Sequence, residues 1–307
     1  MTPQHKRVSI IGGSGFVGQH LAYYLARDGW AVRILMRKRK DLPDIRVLPG
    51  SDIVVVDVYN TQQLRQAITG SDAVINLVGI LNERGDNGRG FYDAHVTLTD
   101  RVIDSCVQAG VKRYLHMSAL HADAAHGPSH YLRTKGMAEA RAHDAAARGL
   151  QVSSFRPSVI FGEHDSFFNR FAALLKLMPG VFPLACAEAR FAPVFVGDVA
   201  NAFVQALRDS ASIGKRIDLC GPKIYTLRQL VDYTARCIGR QMHIMGLNQK
   251  LSLWQARVFE FVPGKPFSLD NFRSTSIDSV CNDDAPLAKY QCHTAVEAIV
   301  PYYLGKS

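Results

Sequence analysis

The sequence predicts an α/β protein with a doubly wound parallel sheet and a smaller C-terminal lobe on the substrate side. Short β-branched runs alternate with amphipathic stretches up to about residue 160, and the first run leads into a glycine-rich turn. Strand–helix alternation of this kind is typical of a parallel sheet. We expect residues 1–160 to form the sheet domain, completed by parts of 161–240, and residues 161–307 to form a smaller mixed lobe.

Six buried strands are predicted from short Val- and Ile-rich runs bounded by turn signals. They are residues 7–11, 32–36, 53–56, 73–78, 114–117 and 152–155. Amphipathic stretches between them predict helices over residues 16–27, 61–68, 96–109 and 131–148. In the looser second half we expect helices over residues 167–177, 196–207, 227–238, 251–262 and 295–304, and a strand over residues 216–219.

Composition excludes several classes of protein. The chain has 307 residues, of which 47% are hydrophobic and 21% charged, as in ordinary globular proteins. No apolar run reaches the ~18 residues that span a membrane, and the N-terminus shows no secretory signal. We expect a cytoplasmic location, with the inner face of a membrane as the alternative.

The cysteines and histidines show no metal-binding or disulfide pattern. Six cysteines lie far apart without a C-x-x-C pair, and eleven histidines include no H-E-x-x-H spacing. We therefore expect reduced, buried thiols and no metal site.

Positive charge is concentrated near the glycine-rich turn. The net charge is +9, and residues 1–50 hold nine Lys and Arg against three Asp, which places +6 there. A nucleic-acid surface spreads its charge over a face or stripe, so we expect no nucleic-acid partner. The clustering favours an anionic cofactor, although a membrane or an acidic partner surface is an alternative.

The stretch IIGGSGFVG at residues 10–18 can be aligned in two registers, G-x-G-x-x-G from Gly13 or G-x-x-G-x-x-G from Gly12. In both registers a strand enters a glycine turn and then a helix, which places backbone N–H groups around a pyrophosphate. Glycine is required where φ is positive or where a Cβ would collide with the phosphates. The stretch predicts a dinucleotide site formed by Gly12, Ser14, Gly15, Phe16, Val17 and Gly18.

The residues after the second strand bear on which dinucleotide binds. An NAD enzyme usually carries a carboxylate ~20 residues after the glycines, where it bonds the ribose hydroxyl. This chain instead has Arg37, nineteen residues after Gly18, followed by Lys38, Arg39 and Lys40. Because a guanidinium pairs with a 2′-phosphate that a carboxylate would repel, we expect Arg37 and Lys38 to bind NADP(H) rather than NAD(H). A solvated loop is the alternative interpretation of this basic run.

With its downstream segments, the turn resembles the short-chain dehydrogenase/reductase superfamily in its extended or atypical branch, which has a Rossmann fold. That branch uses the Gly12 register, G-x-x-G-F-x-G, with Phe16 in place. FRPSVIFG at residues 155–162 matches its R-P-x-x-[VI]-[FY]-G segment, and VFVGDVA at residues 194–200 matches V-x-V-x-D-V-A. The resemblance covers the chain to about residue 240.

The resemblance implies further contacts with the cofactor. Asp57 and Val58 match the pair that contacts adenine, and the fourth strand passes beneath the cofactor at Leu77, Val78 and Gly79. The backbone at Pro157 and Val159 is expected to approach the nicotinamide.

A narrower resemblance involves HMSALHADAAHGPSHYLRTKGMAEA, RPSVIFG and DLCGPKIYTLRQL. These segments are similar to bacterial relatives of the nucleotide-binding subunit 9 of the respiratory complex I alpha subcomplex. This similarity implies a tightly held NADPH and an association with quinone metabolism or respiratory assemblies, without fixing a reaction.

Ser118, Tyr131 and Lys135 are the candidate catalytic residues. Tyr131 and Lys135 form Y-x-x-x-K, and residues four apart share one face of a helix. A nearby Lys⁺ is expected to favour the phenolate of Tyr131, whose ordinary pKa of ~10 is too high for catalysis at neutral pH. In the superfamily the Tyr transfers the proton, the Lys also holds the nicotinamide ribose, and the Ser bonds the substrate oxygen.

Three features depart from the pattern of the extended branch or carry no catalytic signal. His95 stands where that branch commonly has Asn. The loop at residues 82–90 is expected to be polar and flexible, and it shows no sugar-nucleotide pattern. The nearby histidines, which are His116, His121, His126 and His130, are expected to be surface loop residues.

Three functions fit the sequence. The first is an NADP(H)-dependent oxidoreductase acting on a carbonyl, alcohol or quinone-related substrate. The second is a non-catalytic, NADPH-holding structural or assembly subunit, and the third is a regulator that senses NADP(H). The apolar helix near residues 250–262 is expected to be a core or lid helix, with a wall for a prenyl-type substrate or a membrane-facing surface as alternatives.

Overall fold

The structure is a computed structural model that describes residues 6–39, 41–262, 264–282 and 288–305. Lys40, Pro263 and the first five residues of the chain, on which parts of the predictions fall, lie outside the described residues.

The centre of the molecule is a seven-stranded parallel sheet. The strands of the described residues, seven of which form this sheet, are β1 (Arg7–Ile11), β2 (Ala31–Met36), β3 (Asp52–Val55), β4 (Ala73–Asn76), β5 (Arg113–Met117), β6 (Gln151–Pro157), β7 (Ile160–Phe161), β8 (Val181–Leu184), β9 (Arg190–Phe191), β10 (Val194–Phe195), β11 (Arg216–Leu219), β12 (Tyr225–Thr226) and β13 (His243–Gly246). The sheet has the order β11-β6-β5-β4-β1-β2-β3, and every pairing in it is parallel. The predicted α/β fold is confirmed.

Helices cover both faces of this sheet. The helices are α1 (Phe16–Arg27), α2 (Pro43–Arg46), α3 (Thr61–Ile68), α4 (Arg89–Tyr92), α5 (Leu98–Gln108), α6 (His130–Asp144), α7 (Phe168–Leu177), α8 (Val196–Arg208), α9 (Leu227–Cys237), α10 (Gln249–Phe259), α11 (Leu269–Ser274) and α12 (Val300–Leu304). Alternate side chains of a strand point to opposite faces, so Ile10 packs in the core under α1 and α8 while Ile11 packs in the core under α3 and α5. Burial on both faces explains why these strands are continuously apolar.

Three predicted helices are not single α-helices. The one predicted over residues 131–148 is α6 followed by a 3₁₀ turn, Ala145–Arg148. A π-helical segment, Asp93–Thr97, joins α4 to α5, so the predicted helix over residues 96–109 begins in that segment. The predicted helix over residues 295–304 is wrong as one element, because a 3₁₀ turn (Val296–Ala298) precedes α12. Pro301 opens α12 and has no N–H with which to continue a helix from the preceding turn.

The expectation of six reduced thiols is wrong for one pair. Cys220, which follows β11, forms a disulfide with Cys281, 61 residues later. Long-range packing brings them together: Ser279 bridges Phe191, and its carbonyl accepts a hydrogen bond from Ser158 at 2.8 Å. The four free cysteines are Cys106 and Cys292, which are buried, and Cys186 and Cys237, which are half-buried.

The lobe, residues 161–305 as described, has its own apolar clusters. Helices α7 and α9 pack around the parallel pair β8–β13, which the sequence analysis did not predict. Strand β11 leaves the lobe to join the main sheet beside β6. The domain boundary near residue 160 stays a prediction. Among the described residues, no helix is long and apolar enough to cross a bilayer.

Candidate active site

A cavity of about 730 Å³ lies where β1, β2, β4, β5 and β6 end, between the sheet and the lobe. Sixteen of the predicted site residues line it: Gly12, Ser14, Gly15, Phe16, Val17, Gly18, Arg37, Val58, Leu77, Val78, Gly79, Ser118, Tyr131, Lys135, Pro157 and Val159. Lys38 and Asp57 are exposed and do not line the cavity, so their roles stay predictions.

The glycine cradle, residues 12–18, has no room for side chains at two of its glycines. Gly12 has φ +82°, and a Cβ there would lie 3.3 Å from the backbone of Leu77. A Cβ on Gly18 would lie 2.4 Å from the Cα of Gly13, so α1 packs directly against the turn. These contacts hold the start of α1 close to the end of β4.

The start of α1 is suited to an anion. Its N-cap is Gly15, no side chain caps it, and its first turn contains no acidic residue. The N–H groups of a first helical turn have no partner within the helix, and they carry the positive end of the helix dipole. This arrangement fits a phosphate group resting on the cradle.

Arg37 lines the cavity beyond β2 and is exposed. Within the described residues it forms no ion pair, whereas Arg33 on β2 is paired with Asp52 at 2.7 Å. Its guanidinium lies near Tyr59, where its charge opposes the rise that burial causes in the pKa of that phenol. Arg37 is therefore free to pair with a phosphate at the rim of the cavity.

Ser118 and Lys135 both form hydrogen bonds to backbone carbonyls at or near the ends of strands. The amide of Ser118 donates to the carbonyl of Phe155 at 2.8 Å, while its buried Oγ has no hydrogen-bond partner among the described residues. The Lys135 ammonium donates to the carbonyls of Val78 at 3.2 Å and Met117 at 3.0 Å. An orphaned buried hydroxyl in a cavity is suited to hydrogen-bond a ligand oxygen.

The titration of Tyr131 differs from the expectation. Burial, with a smaller effect of the carboxylate of Asp270, raises the pKa of Tyr131 to about 12. Burial also lowers the pKa of Lys135 to about 8, against a smaller opposing effect of Glu139. The expected lowering of the Tyr131 pKa is therefore wrong, because burial sets the direction of the shift, and the phenol is protonated at neutral pH.

His95 is neutral and connects two elements of the site through hydrogen bonds. Its Nε2 accepts from the amide of Ile80 at 3.2 Å, so its proton is on Nδ1, which lies 2.8 Å from Oγ1 of Thr134. Burial, with the charge of Lys135 as the next cause, lowers the pKa of His95 to about 2. It therefore links the end of β4 to the helix that carries Tyr131 and Lys135.

His116 was expected at the surface, and this expectation is wrong. It lies in β5, fully enclosed, with Nδ1 at 3.2 Å from the Tyr114 hydroxyl. Burial lowers its pKa well below the ordinary value. His121 lines the cavity and bonds the carbonyl of Val280, and His130 is half-buried, whereas His126 is exposed as expected.

Asp270 is a site residue that the sequence analysis missed. From α11 its carboxylate accepts the backbone N–H of His130 at 2.7 Å and that of Tyr131 at 3.1 Å. The carboxylate thus caps the start of α6 beside Ser129, whose hydroxyl accepts from Leu132 at 3.1 Å. Burial raises the pKa of Asp270 against these donated bonds. No local pattern indicates a contact between residues 140 positions apart.

The loop at residues 82–90 is held in place, contrary to the expected flexibility. Buried Glu83 accepts the amides of Gly88 at 2.6 Å and Gly90 at 2.8 Å. Several bonds tie the loop to the lobe: Lys265 donates to the carbonyl of Glu83 at 2.8 Å and its own carbonyl accepts from the Asn82 side-chain amide at 3.1 Å, and Arg273 pairs with Asp86.

One cluster has potential metal ligands. Ligand atoms of Asp86, His130 and Asp270 lie within 4.8 Å of one another. Each of these side chains already has a partner in the protein: Asp86 pairs with Arg273, His130 with Arg133, and Asp270 with amides. The cluster is therefore explained by the contacts that hold the loop, and the absence of a metal stays a prediction.

The lobe side of the cavity is mainly apolar. Its apolar lining residues are Phe167, Phe171, Leu174, Phe191, Leu227, Pro266, Phe267 and Ile277, and its polar ones are Ser166, Arg170, Asn271, Ser274, Thr275 and Ser279. Arg170 is the lobe cation in this lining, and it lies 3.4 Å from the carbonyl of Pro266. The apolar run of the predicted helix over residues 167–177 was a signal for part of this wall.

A parallel sheet with a glycine cradle and a Tyr–Lys pair at one cavity defines a nucleotide-binding α/β protein. The chain belongs to the NAD dependent epimerase/dehydratase family, whose model matches residues 8–220. Membership of this family supports a nicotinamide cofactor, and it confirms the resemblance to the extended short-chain dehydrogenases/reductases.

Curated relatives include two kinds of protein. The NADH dehydrogenase [ubiquinone] 1 alpha subcomplex subunit 9, mitochondrial, of Mus musculus is 28% identical over 285 residues, which are 91% of this chain and 74% of the relative. The ceramide reductase of Caulobacter vibrioides is 29% identical over 254 residues, which are 80% of this chain and 72% of the relative.

Solved structures share the fold. DesIV, a dTDP-glucose 4,6-dehydratase of Streptomyces venezuelae solved with NAD bound, has a TM-score of 0.74 and 17% identity. The alignment covers 97% of this chain and 95% of that one. At this identity the likeness shows the fold alone.

Proposed function

We propose that the protein is an NADP(H)-dependent oxidoreductase that acts on the carbonyl or alcohol group of an apolar substrate, a quinone carbonyl included. One observation carries the proposal: the unpartnered Oγ of Ser118 and the phenol of Tyr131 line the same cavity as the glycine cradle. A site that only held a dinucleotide would not need a proton donor beside an orphaned hydroxyl.

The chain's residues fit the proposed cofactor. The cradle would hold the diphosphate, Arg37 the 2′-phosphate, and Val58 the adenine side. Gly79 leaves room beside Lys135, because a Cβ there would lie 3.0 Å from the Lys135 Nζ. The cofactor assigned by this proposal is NADP(H), with NAD(H) less favoured because Arg37 stands where a carboxylate would be required.

The proposed chemistry divides into a hydride and a proton. Bound NADPH would supply the hydride to the carbonyl carbon. Ser118 would donate a hydrogen bond to the carbonyl oxygen, and Tyr131 would give that oxygen its proton. The raised pKa keeps the phenol protonated at neutral pH, as a proton donor requires. Lys135 would hold the ribose and supply positive charge as the phenolate forms.

The lining of the cavity supports an apolar substrate. Aromatic and aliphatic side chains dominate the wall beyond Tyr131, and Arg170 is the cation there. The relative named ceramide reductase is consistent with an apolar substrate.

A second candidate is an NADPH-holding subunit without turnover. It is favoured by the relatives named as subunits of NADH dehydrogenase and by the raised pKa of Tyr131, which makes the phenolate costly to form. Association with a respiratory complex and a location at the inner face of a membrane belong to this proposal.

The two candidates are separated by comparing the rates at which wild type and Tyr131→Phe oxidise NADPH with an apolar ketone or quinone. The enzyme proposal expects NADPH oxidation to fall by roughly 10²- to 10⁴-fold while NADPH affinity is kept, because only the proton donor is lost. Ser118→Ala should fall less, because one hydrogen bond is lost. Equal rates in wild type and Tyr131→Phe, or no oxidation with any carbonyl offered, would favour the subunit without turnover.

A further inference from the structure

The outer face of α10 carries large apolar side chains that nothing in the described residues covers. Leu251, Trp254 and Val258 are exposed on the helix, and Phe261 follows in the turn after it. Trp254 is 64% exposed and Phe261 is 90% exposed. These four residues, the apolar stripe, are spaced by three, four and three positions, which places them on one side of a helix.

The opposite face of α10 is already packed. Ser252 and Ala256 are buried, and the side chain of Gln255 donates to the carbonyl of Pro183 at 3.0 Å. The helix is therefore fixed to the lobe through its inner face. The apolar stripe is not a core face left open by a displaced helix, and monomers rarely expose a row of such residues without a partner.

The charges beside the stripe are positive. Lys250 and Arg257 are both exposed and lie seven positions apart, so they occupy the same flank of the stripe. The acidic side chain near the end of the helix, Glu260, is paired with Lys265 at 2.5 Å and accepts the amide of Leu269. Its charge is neutralised within the lobe, and the face that α10 presents to solvent is apolar and cationic.

The stripe leads to the cavity. Phe261 and Val262 are exposed, and a few residues further on Pro266 and Phe267 line the cavity wall. Leu81, which is 49% exposed, also lines the cavity. The apolar stripe and the lobe wall of the cavity are thus close neighbours in the sequence.

We propose that the apolar stripe of α10 is a docking surface for an anionic lipid bilayer. Trp254, Val258 and Phe261 would enter the interfacial region, and Lys250 and Arg257 would pair with lipid phosphates. The combination of aromatic side chains with flanking cations is the pattern of interfacial helices. This inference does not require turnover, and it identifies the surface through which the protein would reach a membrane.

Trp254 provides a direct probe, because the second tryptophan, Trp30, is 7% exposed and buried in the sheet domain. The full chain is mixed with vesicles of equimolar phosphatidylcholine and phosphatidylglycerol, and with vesicles of phosphatidylcholine alone. We expect co-sedimentation and a blue shift of the Trp254 emission with the anionic vesicles. Lys250→Gln with Arg257→Gln should weaken that binding by roughly thirtyfold.

A second variant tests the apolar contact. Val258→Ser with Phe261→Ser should abolish the blue shift, whereas Tyr302→Ser, at a residue 71% exposed on α12, should leave it unchanged. Retained dinucleotide binding shows that each variant is folded. The proposal is overturned if wild type does not bind anionic vesicles, or if the double serine variant binds as wild type does. It is also overturned if wild type is a dimer that the serine variant dissociates, which would assign the stripe to a second copy.

Discussion

The two walls of the cavity are built from contacts of very different range. The glycine cradle comes from one strand–turn–helix unit, and its close contacts are with Ile10 and Gly13 in that unit, Ile34 on β2, and Leu77 and Val78 just after β4. The lobe wall depends on contacts such as Asp270 with Tyr131, 139 positions apart, and Lys265 with Glu83, 182 positions apart. One wall is thus built mainly from a single local unit, and the other requires contacts between distant parts of the chain.

The two walls should therefore respond differently to substitution. Backbone geometry fixes the cradle, so a single methyl group disrupts it. The lobe wall is made of side chains that can be exchanged without moving the sheet, which lets one cofactor scaffold serve different substrates. A substitution in one wall should therefore leave the property that the other wall determines unchanged.

The largest effect is expected at Gly18. Gly18→Ala places a Cβ 2.4 Å from the Cα of Gly13, so α1 must move away from the turn. We expect dinucleotide affinity to fall more than about 100-fold and the free energy of unfolding to fall by about 1–3 kcal/mol, as for overpacking elsewhere. Calorimetric titration and thermal unfolding measure the two.

Gly29→Ala is the control at the other end of the same helix. Gly29 has φ +85°, but no atom lies within 4 Å of a Cβ built there. It should lose only the roughly 1–2 kcal/mol of a left-handed residue and keep its dinucleotide affinity. Equal loss of affinity in both variants would contradict the local character of the cradle.

Asp270→Asn tests the lobe wall. Its carboxylate holds the amides of His130 and Tyr131 and adds to the raised pKa of the phenol. We expect a roughly tenfold fall in kcat with cofactor affinity unchanged, because the donor is displaced but the cradle is not. In the oxidation direction, the pH profile should shift to lower pH, because removal of the negative charge lowers the pKa of Tyr131.

Asp232→Asn, in the exposed pair with Arg236 on α9, is the matched control and should change neither property. Rescue by Asp270→Glu would support a role in positioning Tyr131. A fall in kcat without any shift in the pH profile would mean that Asp270 only stabilises the lobe.

The folded protein should lose stability in acid because two of its histidines are enclosed. The pKa values of His95 and His116 are lowered in the folded protein, to about 2 for His95, against an ordinary value of 6.5. Below pH 6.5 the unfolded chain therefore binds more protons than the folded one, and the free energy of unfolding decreases as pH falls. The slope approaches about 1.4 kcal/mol per pH unit for each histidine.

This slope is measured by chemical denaturation at pH values from about 7.5 to about 5, a range that brackets the ordinary histidine pKa of ~6.5. His116→Phe should reduce it, and His126→Gln, whose side chain is 88% exposed, should not. An unchanged slope in His116→Phe would show that His116 is not neutral and enclosed.

The sequence predicted most of what local patterns encode. The strands of the sheet, the cradle, Arg37 and the Tyr131–Lys135 face all follow from runs of fewer than about twenty residues. It could not predict the Cys220–Cys281 disulfide, the Asp270 cap or the buried place of His116, because each depends on which distant segments pack together. The pKa of Tyr131 was predicted in the wrong direction because spacing shows the Lys but not the degree of burial.

The central claim is that the cradle binds an adenine dinucleotide whose 2′-phosphate pairs with Arg37. Titration of NADPH and NADH into wild type and Arg37→Ala tests it most directly, with Arg39→Ala as a control for a neighbouring exposed cation. We expect NADPH to bind wild type more tightly than NADH, and Arg37→Ala to lose roughly tenfold or more of its NADPH affinity while NADH affinity is nearly unchanged. Equal losses for both nucleotides, or no binding of either by wild type, would contradict the claim.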